Sequence, residues 1–327
     1  MRDPTFQTGL LAIVLILAVA LYRPPGRVTG VPPEQLWNQK LLWGPEFDLV
    51  LAGDSRTFQG LSPARMRDTV GCRRIANFGF AAAALTTSYL RASEALLDPA
   101  SSRRALVLGV TPHSLTPNAA RENELVSRWT QIRPWHPGLV ERQWDNEFLS
   151  LAHQERLGVE LGVWLGPLFH ALRPLRLGEL RSWWGGHRTG YFQVFHPDGW
   201  VESRQLPEGN PDAISWSRRI FQGNRISPEL TTAAFDWVTA ATRRGATVYG
   251  FLFPVPAPVA AVEAAVSGWS EIRFAERFRQ AGGVWLDFSA KAYASHDDCH
   301  LRADAALSLS TDLARAILHH EQQGGAR

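Results

Sequence analysis

The strongest constraint on this chain is the stretch Phe47 to Gly60, FDLVLAGDSRTFQG, in which an unbroken apolar run passes directly into a short polar hook. Leu49-Val50-Leu51-Ala52 lacks the alternation of a strand with one wet face. It therefore predicts a strand covered on both sides, as in a parallel sheet between helices. Gly53 ends the run. Ser62-Pro63 offers an N-cap hydroxyl and a proline for the first helical position, predicting a helix over Ser62 to Asp68. Ser55 is thereby expected in a strand-to-helix loop at the carboxyl end of a strand, where open α/β sheets hold their ligands. A serine in such a place can equally do no more than satisfy the turn's own backbone, so its meaning depends on partners elsewhere in the chain.

Those partners lie near the far end, in Asp297-Asp298-Cys299-His300-Leu301, between an apolar segment and an amphipathic one. An Asp and a His three apart share one side of a turn. The carboxylate can then fix the imidazole tautomer while the other ring nitrogen faces a serine, the logic of a Ser-His-Asp triad. With GDS after the first strand and D-x-x-H before the last helix, the chain resembles the SGNH, or GDSL-type, hydrolases. The resemblance implies Ser55 as nucleophile, His300 as proton shuttle and Asp297 as its orienting acid. The family's second block falls on Asn77-Phe78-Gly79, and its third, Gly-x-Asn, on Gly109-Val110-Thr111, where Thr111 stands in place of the asparagine. The oxyanion hole is accordingly expected from the backbone amides of Ser55 and Gly79 and the Thr111 position, without the asparagine's amide. Asp54, Arg56, Asn77 and His113 are candidate substrate contacts, with Arg56 placed to pair with an acidic group on donor or acceptor.

Rival chemistries find less support. His296 to His300 packs two histidines, a thiol and two carboxylates together, but structural zinc sites draw ligands from separated pairs and no second pair exists, so no metal is expected. No glycine-rich phosphate loop occurs, and no cofactor is expected. A net charge of +3, with no basic run interleaved with aromatics, argues against a nucleic-acid partner. The two cysteines, Cys72 and Cys299, cannot build a disulfide framework and are expected unpaired.

The remaining chain supplies the frame. Arg73 to Ala76, Ala105 to Leu108, Ala246 to Phe253 and Val284 to Phe288 read as further strands. Pro33 to Trp43, Phe80 to Leu97, Pro228 to Arg244, Pro258 to Gln280 and Leu301 to His320 read as helical. This order predicts a three-layer α/β/α sandwich on a five-stranded parallel sheet; the resemblance implies flavodoxin-like strand order. An insertion at about 120–225, expected to be mainly helical, gathers eight tryptophans, among them Trp200 and Trp216. Tryptophan clusters are more often packing than sugar-binding surface. Pro197-Asp198-Gly199 predicts a turn, with His196 a surface polar residue.

Gly9 to Leu21 is continuously apolar, near the lower limit for a bilayer span, so residues 1–22 are either a transmembrane anchor or a signal peptide. The weak positive charge before the run favours an uncleaved anchor, and residues 23–33 form a Pro/Gly linker to the domain at 34–327. The flanking arginines do not favour an outward-facing domain by the positive-inside rule; a periplasmic or outer location at a bacterial inner membrane is what the resemblance implies. The plan of anchor, GDSR, divergent third block, insertion and D-x-x-H-L is similar to envelope SGNH proteins that partner membrane-bound O-acyltransferases. It implies acyl transfer to a polysaccharide. Ester hydrolysis would use the same residues with water as acceptor, and a non-catalytic envelope-assembly protein is the reading from another class.

Overall fold

A computed structural model describes residues 31, 33–71, 73–121 and 190–324. The expected anchor, nearly all of the linker, Cys72 and six of the insertion's eight tryptophans lie outside these residues. Among the described residues no helix is long and apolar enough to cross a membrane.

The first strand, β1 (Leu49–Gly53), is buried at every position. Val50 and Ala52 enter the core on one side of the sheet, and Leu49 and Leu51 the core on the other. It pairs in parallel with β2 (Ile75–Asn77) on one side and β3 (Ala105–Val110) on the other. Beyond β3, also parallel, come β6 (Thr247–Leu252) and β7 (Val284–Trp285). The order β2-β1-β3-β6-β7 is the all-parallel, flavodoxin-like sheet of a three-layer α/β/α fold. One face carries α1 (Pro33–Leu42), α4 (Thr87–Ala95), α7 (Pro228–Arg243) and α9 (Glu271–Gln280), through Leu36, Tyr89, Val238 and Phe278 among others. The other face carries α3 (Pro63–Val70) and the closing α10 (Ala303–Gly324), through Met66, Val70, Leu309 and Leu313. Burying each such side chain contributes about 1.5–3 kcal/mol, which is why the two-sided apolar pattern dominates the architecture.

Several boundaries depart from the sequence reading. Ser55 is not in a loop: it opens a short helix, α2 (Ser55–Gly60), capped by Asp54, before Ser62 caps α3 as predicted. The helix after β2 begins at Thr87, not near Gly79, because the Thr86 hydroxyl caps it by accepting from the Tyr89 amide. Pro258 to Gln280 is two helices, α8 (Ala257–Ser267) and α9, broken at Gly268, whose φ of 78° ends the first. The described part of the insertion is not mainly helical. It holds an antiparallel hairpin, β4 (Gly190–Phe195) and β5 (Val201–Leu206), followed by α6 (Ala213–Ile220). The Pro-Asp-Gly turn is the tip of this hairpin and docks on the sheet edge: the Asn77 amide donates to Asp198 O and the Trp200 indole to Gln59 O. Trp200 is thus packing. His196 stacks on it and pairs with Glu202. Between β3 and the insertion lie a single 3₁₀ turn at His113–Leu115 and α5 (Pro117–Arg121).

Where β1 ends, Tyr89 reaches across from α4. Its buried hydroxyl accepts from the Gly53 amide at 2.8 Å and shares its proton between the carbonyls of Gly53 and Phe78. Gly53 itself admits no side chain, since a Cβ there would lie 2.6 Å from Gly109 O and 2.1 Å from Thr57 Oγ1. Tyr89→Phe strips buried backbone groups of their partner, and denaturant unfolding should show a loss of about 1–3 kcal/mol; an unchanged midpoint would remove Tyr89 from this role.

Candidate active site

All five strands of the main sheet run parallel, so the segments leaving β1, β3 and β6 emerge at one edge of it. Ser55 is the first residue of α2 there, held by a cap in which Asp54 Oδ1 accepts from the Arg56 amide at 3.0 Å. The Ser55 amide, the first of its helix, makes no hydrogen bond among the described residues. His300 arrives from the loop before α10. Its Nε2 lies 2.9 Å from Ser55 Oγ, and its Nδ1 lies 2.7 Å from Asp297 Oδ2. Asp297 Oδ1 accepts from the amides of Cys299 and His300, which fixes the carboxylate within its own turn. Burial pushes the Asp297 carboxyl up, but the His300 hydrogen bond and charge outweigh it and hold the group well below the usual carboxylate range. Asp297 is thus an anion near neutral pH. Asp298, at φ 62°, points elsewhere and accepts from the Asn210 amide.

The serine and histidine open onto a cleft of about 490 Å³ walled also by Asp54, Arg56, Ala82, His113, Trp216, Arg219, Phe221, Glu263 and Cys299. The sequence-predicted contacts divide here. His113 lines the cleft as expected. Arg56 borders it, yet its guanidinium is buried in a two-point ion pair with Glu263 of α8, one contact being 3.2 Å, and so is not available to pair with a substrate anion. Asp54 is only 4% exposed, and its second oxygen accepts from the Thr111 hydroxyl at 2.5 Å. Its carboxylate braces the hook and does not reach for substrate. Asn77 is fully buried, donating to the carbonyls of Thr57 and Leu61.

The expected oxyanion contributors divide as well. The Gly79 amide donates to Asn77 Oδ1, and its carbonyl accepts from the Lys40 ammonium at 2.7 Å. The glycine is needed because a Cβ there would lie 2.8 Å from the Phe58 amide. Its role in this structure is close packing of the post-β2 segment against α2. Thr111 is buried with its hydroxyl turned to Asp54, so the third-block position serves the hook from behind. Of the three, Ser55 alone lines the cleft, and its amide is the one without a hydrogen bond among the described residues.

Several site residues had no signature in the sequence. Glu263 sits in an unremarkable alanine-rich helix, and only the fold brings it to Arg56 across 207 positions. His296 is completely buried, stacked on His300 with centroids 6.0 Å apart; neither ring nitrogen makes a hydrogen bond among the described residues, and Nδ1 lies 3.8 Å from Asp297 Oδ1. Burial pushes its pKa down, which keeps it neutral beside His300. Cys299 is a free thiol 3.5 Å from the Arg56 guanidinium; burial raises its pKa to about 11, so it is protonated near neutral pH. No family model, no curated protein and no solved structure matches the chain.

Two outcomes follow from these burials. Glu263→Gln leaves the Arg56 guanidinium buried without a counter-charge and should cost about 3–5 kcal/mol in denaturant unfolding. A cost within error of zero would mean that solvent reaches the pair. His296 has a folded pKa below its unfolded value, so the unfolded chain takes up the extra proton, and its neutral burial is favourable above about pH 6.5 and lost as pH falls. His296→Phe should therefore flatten the decline in melting temperature between about pH 6.5 and 5; an unaltered slope would show that other groups set it.

Proposed function

We propose that the protein is a serine acyl-ester enzyme of the bacterial cell envelope, acting as an O-acyltransferase on a polysaccharide. The observation that carries this reading is the continuous Ser55 Oγ, His300, Asp297 hydrogen-bond relay, at 2.9 and 2.7 Å, opening onto a cleft. In the proposed reaction Ser55 attacks the carbonyl of an acyl donor while His300 takes its proton, and the donor's alcohol leaves with that proton. The acceptor hydroxyl then loses its proton to His300 and attacks the acyl-serine carbonyl; the bond from the acyl carbon to Ser55 Oγ breaks, and His300 returns the proton to Oγ. Asp297 keeps Nδ1 protonated and stabilises the imidazolium formed in each half.

Transfer is favoured over hydrolysis by what faces the cleft. Losing one oxyanion donor costs about 10²–10³ in rate, and here both the third-block amide and the Gly79 amide are missing from the cleft. An enzyme that holds an activated donor and a bound acceptor together can offset weak oxyanion binding by positioning, which an unbound water does not allow. The apolar amino-terminal run supports tethering at a membrane, and the resemblance in plan supports a membrane-bound O-acyltransferase as donor-side partner.

A fluorophosphonate probe should label Ser55 in the wild type and nothing in Ser55→Ala, read by peptide mass spectrometry. Asp297→Asn should slow acyl turnover by about 10³–10⁴-fold at neutral pH. Given an acetyl ester and an oligosaccharide, the protein should acetylate the sugar faster than it releases acetate. Fast hydrolysis indifferent to every acceptor would make it an esterase, and absence of both labelling and turnover would sink the acyl-enzyme reading.

A further inference from the structure

The charges around the cleft do not cancel. Arg56 is neutralised by Glu263, and Asp54 is bound on both oxygens to the Arg56 amide and the Thr111 hydroxyl. Arg219 is different: it is exposed, it lines the cleft, and its guanidinium has no ion-pair or hydrogen-bond partner among the described residues. It is carried by α6, three residues after Trp216, and residues three apart share one side of a helix. The Trp216 indole is 41% exposed and lines the same cleft. It also borders a smaller recess of about 100 Å³ that reaches His300 and Asp297, which puts the ring beside the reacting groups. Ala213 and Ser217, four apart on the adjoining side of α6, are buried, and the helix packs on α8, the helix that supplies Glu263. The platform is thus braced by the element that braces the nucleophile's hook.

An aromatic face presented next to hydrogen-bonding groups suits a sugar ring, whose C–H faces stack while its hydroxyl edges bond. A guanidinium on the same rim is a planar fork for an oxyacid, carboxylate or phosphate. We propose that Trp216 and Arg219 form the acceptor subsite, and that Arg219 makes the enzyme selective for a glycan bearing an acidic group. This deepens the acyltransferase reading above and rests on it for the meaning of "acceptor". The anion contact expected earlier of Arg56 passes to Arg219, because the fold has given Arg56 a buried partner.

The test is a binding measurement on the full chain, which needs no acyl chemistry. Wild-type protein is titrated calorimetrically with galactotetraose, tetragalacturonate and a singly phosphorylated galactotetraose at low and physiological salt. The acidic sugars should bind roughly 3–10-fold more tightly than the neutral one at low salt, the range of an exposed charge pair, with the gap narrowing as salt rises. The better of the two acids identifies the oxyacid. Arg219→Gln should bring the ratio to about one, Arg219→Lys should keep part of it, and Trp216→Ala should weaken all three sugars together. Arg218→Gln, an exposed arginine one position away that does not line the cleft, should leave the ratio intact. Equal binding of neutral and acidic sugars by the wild type, or a preference that survives Arg219→Gln, overturns the proposal. Selective binding without Ser55 labelling would uphold the subsite while rejecting the acyl-enzyme, so the two failures are distinguishable.

Discussion

The structure depends on β1 being paired on both sides within an all-parallel sheet. Pairing fixes the strand's register, and burial on both faces fixes which residues point where, so Gly53 and the hook behind it have one available position. Because every neighbour runs the same way, the segments after β1, β3 and β6 meet at the same edge. Chain from residue 54, residue 111 and residue 253 onward is there brought into contact: the Thr111 hydroxyl bonds Asp54, and the ring of Phe253 packs where a Cβ on Gly60 would be.

Around that edge buried polar side chains tie separate elements together. Asp54 joins its own helix to the end of β3, Arg56 joins α2 to α8, and Tyr89 joins α4 to the end of β1. Buried polar groups of this kind are costly unless all are satisfied, and when satisfied they leave little freedom to the residue between them. Ser55 is that residue. It lines the cleft, with its hydroxyl toward His300. Polar side chains that brace Ser55 are spent on it, which explains why Asp54, Arg56 and Asn77, all adjacent to motif residues, turn inward.

Much of this was legible in the chain. The uninterrupted apolar runs announced buried parallel strands, Ser62-Pro63 announced the start of α3, and Ser227 and Gly245 bracket α7 as their cap chemistry requires. The separation of Asp297 from His300 announced a local carboxylate–imidazole bond, which is present. What misled was reading polar residues near a motif as facing outward. Periodicity reports which side of an element is apolar, but within a hook of a few residues there is no period, and hydrogen-bond partners decide each direction. The hairpin at 190–206 was missed for a related reason: only its turn had a signature, and its strands mix polar and apolar residues because one side rests on the core.

The sequence by itself determined the layered fold, the edge at which chemistry is possible and the pairing within the Asp297–His300 turn, because these depend on patterns local to a strand, a cap or a loop. Only the tertiary structure decided that Ser55 meets His300, that Arg56 is consumed by Glu263, that Gly79 packs against α2, and that Arg219 lines the cleft without an ion-pair partner among the described residues. Each of these is a contact between segments far apart in the chain, or the consequence of one. No local pattern encodes which buried charge will find a partner, since that is settled by which helices the sheet brings side by side.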